Sequence, residues 1–431
     1  MPCLPRFVVS VLGAGLALVP CLVVGQNAPN SELAAIREQN RLLQQQVQQQ
    51  QKQIDELRGR LDILQETAPA TARASIVTRT TAGSVRVAAE AGLAFFASGD
   101  DGVYPNAEFR VDDAKIFIEA PIWKNVYFFG GLEIATREAN DEFFHTGEFY
   151  LDAEDVLTAG RTRTLNLRVG RFYLPFGEEY QERGVMANPL ISHSLADVWG
   201  IDEGVQVYGS LGALQYNLAV QNGGHKTLHD FDSDKAVTLR LALEPTPRLR
   251  LSVSALRTGD LNVAGDGVSE VWFANAFFRA LGPTATTRTF AAEIAQLDAA
   301  WKWRGGQLKG SSGWVKFDDD STSGDYSRKL RYHSVELRQD FSPGFFGAAR
   351  YSAIDAPGGY PLAAQGNAGK YFYNPFGPLT KELARLSVGL GYRFGEPLVW
   401  KIEYSWESGR LVSGVKRNDE DMLSSIVGMK F

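Results

Sequence analysis

The chain ends with Leu423-Ser424-Ser425-Ile426-Val427-Gly428-Met429-Lys430-Phe431, and no other segment constrains its architecture as strongly. Apolar Leu423, Val427, Met429 and Phe431 fall at alternate positions, and the last residue is aromatic. Alternate residues of a strand point to opposite faces of a sheet. The closing strand of a transmembrane barrel must pair with the first strand and present one apolar face to lipid. The segment therefore predicts a membrane-spanning β-barrel.

Segments with strand character recur along the chain before this one. Turn residues bound about sixteen of them, at 84–97, 108–120, 123–135, 145–154, 164–174, 204–211, 213–221, 235–244, 248–257, 289–303, 306–317, 329–341, 344–354, 383–395, 398–408 and 422–431. Short connections such as 121–122 and 304–305 alternate with long ones such as 175–203 and 258–288. Short turns on the periplasmic side and long loops on the other are typical of outer-membrane barrels. The sequence thus predicts an all-β fold, a 16-stranded antiparallel transmembrane β-barrel over 84–431.

Polar and apolar residues alternate within the strands. Leu398, Trp400 and Ile402 alternate with Val399, Lys401 and Glu403, and the segment 385–394 repeats the pattern. A polar inner face and an apolar outer face are the inverse of a soluble barrel. The alternative is a soluble two-sheet sandwich whose arginine-bearing faces meet solvent.

Basic residues predominate among the positions predicted to face inward. A barrel of about sixteen strands leaves an aqueous lumen, and a positive lining favours anions. In the alternative, acidic loop residues folded into the lumen pair with these side chains and leave no net field. The predicted channel-lining bases are Lys115, Arg168, Arg240, Arg248, Arg250, Arg338, Arg350, Arg385, Arg393, Lys401 and Lys430, against Asp113, Glu119, Glu133, Glu336, Asp340 and Glu403.

The long connection 175–203 follows the fifth predicted strand. Its place predicts an inward-folded loop that narrows the channel, and the alternative is a surface loop over a subunit interface. The constriction candidates are Glu178, Glu179, Glu182, Arg183, His193, Asp197 and Asp202.

The chain begins with features of an exported protein. Residues 1–25 carry Arg6 and then an apolar stretch, which predicts a signal peptide. Cys3 and Cys21 would leave with it, so no disulfide or thiolate site is expected in the mature chain.

A heptad pattern follows over 31–66 and predicts an α-helical periplasmic coiled coil, joined to the barrel by a linker over 67–83. The alternative is a monomeric glutamine-rich helix. The predicted oligomerisation residues are Asn40, Leu43, Val47, Gln50, Ile54 and Leu57.

Composition excludes several function classes. With 44 basic and 50 acidic residues the net charge is −6, which argues against nucleic-acid binding.

His193 lies beside Ser192 and Ser194 but not in a nucleophile-elbow setting, so no enzyme is predicted. His225 and His229, followed by Asp230, Asp232 and Asp234, form either a divalent-ion site or a solvated turn. The turn is the preferred interpretation, and no metal or other cofactor is predicted.

Three blocks of sequence are similar to a known family. Leu167-Arg168-Val169-Gly170-Arg171-Phe172-Tyr173-Leu174-Pro175-Phe176-Gly177 resembles the strand and Pro-Phe element of the phosphate-selective porin O and P family. The blocks 203–209 and 217–223 resemble the hairpin that follows, and the likeness covers roughly 108–225. Membership would imply a sixteen-stranded, trimeric anion channel, with phosphate among its solutes and a periplasmic coiled coil before the barrel.

These observations lead to one expected function and one alternative. The expectation is a homotrimeric outer-membrane porin, in contact with outer-membrane lipid, that passes small hydrophilic solutes with a preference for anions. The alternative is a structural envelope protein whose coiled coil tethers the outer membrane to peptidoglycan. No nucleic acid is expected as a partner.

Overall fold

The computed structural model describes residues 75–80, 83–135, 143–159, 162–223, 230, 232–263, 277–278, 286–363, 365 and 378–431. The predicted signal peptide, the predicted coiled coil with its oligomerisation residues, and the pair His225 and His229 lie outside these residues. Among the described residues, no helix is long and apolar enough to span a membrane.

The described chain is almost entirely β-strand. The strands are β1 (Ser75–Thr80), β2 (Gly83–Ser98), β3 (Glu108–Trp123), β4 (Val126–Ala135), β5 (Phe143–Ala159), β6 (Thr162–Tyr173), β7 (Ile201–Leu211), β8 (Leu214–Gln221), β9 (Ala236–Thr246), β10 (Leu249–Arg257), β11 (Leu261–Asn262), β12 (Thr289–Trp303), β13 (Gly306–Asp319), β14 (Arg328–Ser342), β15 (Phe345–Tyr360), β16 (Thr380–Arg393), β17 (Leu398–Leu411), β18 (Lys416–Arg417) and β19 (Met422–Lys430). One 3₁₀ helix, Glu179–Glu182, interrupts the connection between β6 and β7.

Sixteen of these strands, all but β1, β11 and β18, form a closed antiparallel barrel within the described residues. The last strand closes on β2, with a register from Met422 opposite Ser98 to Lys430 opposite Glu90. The terminal-strand prediction is therefore confirmed, as is the 16-stranded fold. The first residues of β2 pair with β1 instead, from Ser75 opposite Ala88 to Thr80 opposite Gly83. A strand thus occupies part of the segment interpreted as a linker.

One predicted turn is misplaced. Residues 121–122 were expected to turn the chain, but β3 continues through them to Trp123, and the reversal occurs at Lys124 and Asn125. Asn125 has a φ of 57°. Asparagine tolerates this left-handed conformation better than most residues because its short side chain can bond to the local backbone. Pro121 does not end the strand: it lies opposite Tyr127, and the register of β3 and β4 shifts between Pro121 and Trp123. Such an irregularity is a place where a sheet tolerates proline, which has no backbone N–H to donate.

Burial alternates along the strands as the pleat predicts. On β16, Leu386, Val388 and Leu390 are exposed, whereas Arg385 and Ser387 are buried. Exposed aromatic side chains gather near the short turns, among them Trp301, Phe341, Tyr392, Phe394 and Trp400. An apolar outer band bordered by aromatic rings is the surface that a lipid-embedded barrel presents.

The interior is less uniformly polar than the sequence predicted. Near the long loops, inward-facing Phe290, Ile294, Phe317 and Tyr332 of β12–β14 are buried in one apolar cluster. The cluster also contains Leu174, Phe176, Leu195, Val198, Phe277 and Phe278, which lie outside the barrel strands. The expectation of a polar inner face is wrong for this part of the wall, because loop residues cover it and exclude water.

Candidate functional site

The segment 174–200, hereafter the inner loop, connects β6 to β7 along the inward face of the barrel. Its base is closed by a hydrogen bond of 2.8 Å from the Leu174 amide to the Gly200 carbonyl. Its other contacts go to inward-facing side chains of β2, β9, β10, β13, β15, β16 and β17. The loop therefore lies within the lumen and not over the outer surface of the barrel.

The first part of the inner loop is held by ion pairs. The Glu178 carboxylate accepts from Arg240 Nη1 at 2.9 Å and from Arg250 Nε at 2.8 Å. Burial alone would raise the pKa of Glu178, but Arg240 and Arg250 more than offset it and hold the pKa below its ordinary value. Glu182 pairs with Lys309 at 2.6 Å. Glu178 and Glu182, two of the five predicted constriction carboxylates, thus anchor the loop to the wall.

The middle of the loop is held by contacts within itself. Arg183 forms an ion pair with Asp197, and its guanidinium lies 4.6 Å from the ring centroid of Trp199. His193 Nδ1 lies 3.6 Å from the Asp197 carboxylate. These predicted residues therefore shape the loop.

Glu179 also bonds within the loop. Its carboxylate accepts from the Ser194 amide at 2.9 Å and from the Ser194 hydroxyl at 2.5 Å. Burial would raise the pKa of Glu179, yet Arg350 and these bonds bring it below its ordinary value.

Basic wall residues bind the carbonyls of the loop's far part. Lys401 Nζ donates to the carbonyl oxygens of Val185, Asn188 and Leu190 at 2.8, 3.0 and 2.8 Å. Arg393 donates through both terminal nitrogens to the Met186 carbonyl, at 3.3 and 3.2 Å.

Two further arginines bind the segment beside it. Arg350 Nη1 donates to the Ser192 carbonyl at 2.7 Å, and Arg350 Nε donates to Glu336 at 2.8 Å. Arg385 donates to the His193 carbonyl at 3.1 Å and to Glu407 at 2.9 Å.

Most of the predicted basic lining is therefore occupied. Of the eleven predicted bases, six contact the inner loop: Arg240, Arg250, Arg350, Arg385, Arg393 and Lys401. The alternative, pairing with acidic loop residues, holds for Arg240 and Arg250, which bind Glu178, whereas the other four bases bind backbone carbonyls of the loop. Arg248 lies exposed at a short turn, Arg338 pairs with Asp340 near another, and Lys430 ends β19 opposite Glu90.

The remaining two bases lie on the wall of β3–β7. Lys115 Nζ lies 2.8 Å from Asp113 and 3.7 Å from Glu133, and its side chain is 17% exposed. Arg168 pairs with Asp152 at 2.7 Å and is 20% exposed, with its guanidinium 4.0 Å from the Tyr150 ring centroid. Lys401, by contrast, is only 2% exposed. Partial exposure is nevertheless shared by both sides of the lumen, because Arg250 and Lys309, which contact the inner loop, are 17% and 22% exposed.

The residues weighed for other chemistry have different partners. Ser192 Oγ donates to Glu403 and Ser194 Oγ to Glu179, while His193 Nε2 lies 3.2 Å from the Arg183 carbonyl. Asp230 pairs with Lys235 at 2.5 Å. Among the described residues, no group of three or more His, Cys, Asp or Glu side chains is placed to hold a metal ion.

Several anchors of the inner loop were missed from the sequence. Glu90 accepts from the Met186 amide at 2.8 Å, and Ser254 and Ser352 accept from the amides of Gly177 and Leu195, each at 3.0 Å. Their inward parity was visible in the strand alternation. Serine and isolated acids at such positions are common, so the pattern did not distinguish them from residues that line the pore.

Comparisons with known proteins establish the fold. No protein-family model matches the chain, and no curated protein is significantly similar. OmpT (in-vitro folded), an outer membrane protein of Vibrio cholerae, has a TM-score of 0.52 at 10% identity, covering 82% of this chain and 99% of that chain. The outer membrane channel DcaP of Acinetobacter baumannii has a TM-score of 0.51 at 12% identity, with coverage of 82% and 99%. A trimer form of the Vibrio cholerae protein has a TM-score of 0.52 at 9% identity, with coverage of 80% and 99%. At these identities the likeness concerns the barrel fold alone.

Proposed function

We propose that this chain is an outer-membrane porin that forms a water-filled diffusion channel for small hydrophilic solutes. One observation carries the proposal: a closed barrel exposes apolar side chains outward and holds charged, partly exposed side chains inward. Apolar outward faces suit lipid, and charged inward faces need water or partners. Passage is diffusive, and the inner loop narrows the path toward the β3–β7 wall.

The channel is weakly selective. The predicted anion preference depended on uncovered basic residues, and six of these bind the inner loop. Lys115 and Arg168, on the wall of β3–β7, each lie beside a carboxylate. Anion preference and phosphate transport remain predictions from the sequence and from the family resemblance.

The assembly and export of the chain extend the proposal. A homotrimer is proposed because a trimer form exists of a protein with this fold. Export through a signal peptide over 1–25 and a periplasmic coiled coil over 31–66 rest on sequence patterns alone. The alternative role as a cell-wall tether depends on that coiled coil and has no separate support.

Liposome swelling tests the proposal. Proteoliposomes containing the full chain should swell in solutions of small sugars, at rates that fall as the sugars become larger. Liposomes that do not swell with any sugar, while the protein shows the heat-dependent gel mobility of a folded barrel, would contradict a diffusion channel.

A further inference from the structure

Strand β17 presents two buried charges of opposite sign to the inner loop. Lys401 and Glu403 are two residues apart and so share the inward face, and they are 2% and 1% exposed. Both contact the loop segment 185–192. We name this pair the Lys401–Glu403 clamp.

The ammonium of Lys401 sits among three backbone carbonyls. An ammonium has three N–H donors and no acceptor, and Lys401 donates to Val185, Asn188 and Leu190 at 2.8, 3.0 and 2.8 Å. If the loop moved away, these donors would lose their partners in a buried place, which is costly for a charge. The contact therefore resists displacement of the loop from the wall.

Glu403 binds the amide side of the same segment. Its Oε2 accepts from the amides of Ile191 and Ser192 at 2.5 and 2.9 Å. Its Oε1 accepts from the hydroxyls of Ser192 and Ser405 at 2.5 and 2.8 Å. One strand thus binds loop carbonyls with a cation and loop amides with an anion, so the segment is fixed in both position and direction.

We propose that the Lys401–Glu403 clamp is the positioning device that sets the width of the channel. We also propose that the three loop carbonyls bound by Lys401 are a site for a primary ammonium group, which the lysine side chain fills in this chain. This inference rests on the proposed porin function. Lys401 acts through the loop and does not bind the solute. When the lysine side chain is truncated, the carbonyl group should accept an untethered methylammonium ion in its place.

Planar-bilayer recording of a truncation variant tests both parts. In NaCl, Lys401→Ala should raise the single-channel conductance by about twofold or more, because conductance follows the open cross-section. Replacing part of the Na⁺ with methylammonium should return the variant toward the wild-type conductance. Lys401→Met is the matched control: its side chain fills the site without charge, so it should open the channel but not respond to methylammonium.

A second variant tests the other side of the clamp. Glu403→Gln keeps the size of the side chain and removes its charge, so it should also raise the conductance, and heat-dependent gel mobility checks that each barrel is folded. Wild-type conductance in both Lys401→Ala and Glu403→Gln would overturn the clamp. An open Lys401→Ala channel whose methylammonium response equals that of Lys401→Met would overturn the ammonium site. Failure of the porin function would differ from both outcomes, since the wild type itself would show no channels.

Discussion

Some ion pairs of this barrel join a side chain of the wall to one of the inner loop. Glu178 illustrates this, because one carboxylate contacts guanidinium groups from two strands, Arg240 and Arg250. The single negative charge of Glu178 offsets one of these two positive charges in the field that a passing ion would feel.

Glu178→Gln should make the channel more anion-preferring. The substitution leaves Arg240 and Arg250 without that counter-charge inside the lumen, and a positive lining favours anions. Because the pair is partly exposed, the loss of stability should be only about 1–3 kcal/mol, below that for a fully buried pair. The reversal potential under a salt gradient measures the effect. Glu244→Gln removes the more exposed partner of Arg250 and is the control, expected to shift the potential less.

Acid should release the inner loop only at low pH. The pKa values of Glu178 and Glu179 are lowered in the folded chain, so their stabilising contribution is fully present above the unfolded carboxyl pKa. It is lost as the pH falls through the depressed folded values. Conductance should therefore be constant from pH 7 to about 5 and should rise only below about 4. A rise already between pH 7 and 5 would contradict the assignment of the release to Glu178 and Glu179.

At the level of single strands, the alternation of polar and apolar residues predicted which face of the sheet a side chain occupies, but not which residues it contacts. The side of the sheet followed directly from parity, as Leu386, Val388 and Leu390 outside and Arg385 inside show. The partners of the inward residues did not follow, because they come from the inner loop, more than 150 residues away in sequence from β15–β17. No pattern within a strand carries that information.

The apolar part of the interior shows the same limit. Phe290 and Phe317 point inward with the parity of pore-lining residues, yet the loop residues Phe176 and Phe278 pack in the same cluster. An apolar inward residue can be recognised in the sequence, but the loop that covers it cannot. The predicted turn at Pro121 was wrong because proline ends many strands, whereas here it lies at an irregularity in the pairing and β3 ends two residues later.

A charge introduced on an outward position should destabilise the barrel. Val388→Lys places an ammonium on the exposed apolar face of β16 and should cost about 2–4 kcal/mol near the membrane midplane. Ser311→Lys, on the inward face of β13, is the control and should be tolerated because it reaches the lumen. Urea unfolding in liposomes or detergent compares the two. Equal losses in both variants would show that the face assignment is wrong.

Across the whole barrel, the hydrogen bonds from the inner loop to the wall fall mainly on one side of the lumen. The loop bonds to β2 and to strands between β9 and β17, and it lines a small cavity with Asp112 and Asp113 of β3, while Lys115 and Arg168 remain partly exposed on the wall of β3–β7. Net selectivity and solute size should then be set by the space between the loop and that wall.

Cysteine labelling can map this division, because the chain has only two cysteines, Cys3 and Cys21, both within the predicted signal peptide. Lys115→Cys should react quickly with a water-soluble methanethiosulfonate in intact liposomes, since the Lys115 side chain is partly exposed. Ser387→Cys, buried beside Ser192 of the inner loop, should react slowly. Equal rates would mean that water reaches both sides of the lumen.

The central claim is that a closed barrel encloses a water-filled path that the inner loop narrows without blocking. Single-channel recording of the purified full chain in planar bilayers tests it most directly. We expect discrete, stepwise openings whose size is below that of an unobstructed sixteen-stranded barrel. A membrane that contains folded protein yet shows no stepwise current at any voltage would contradict the claim.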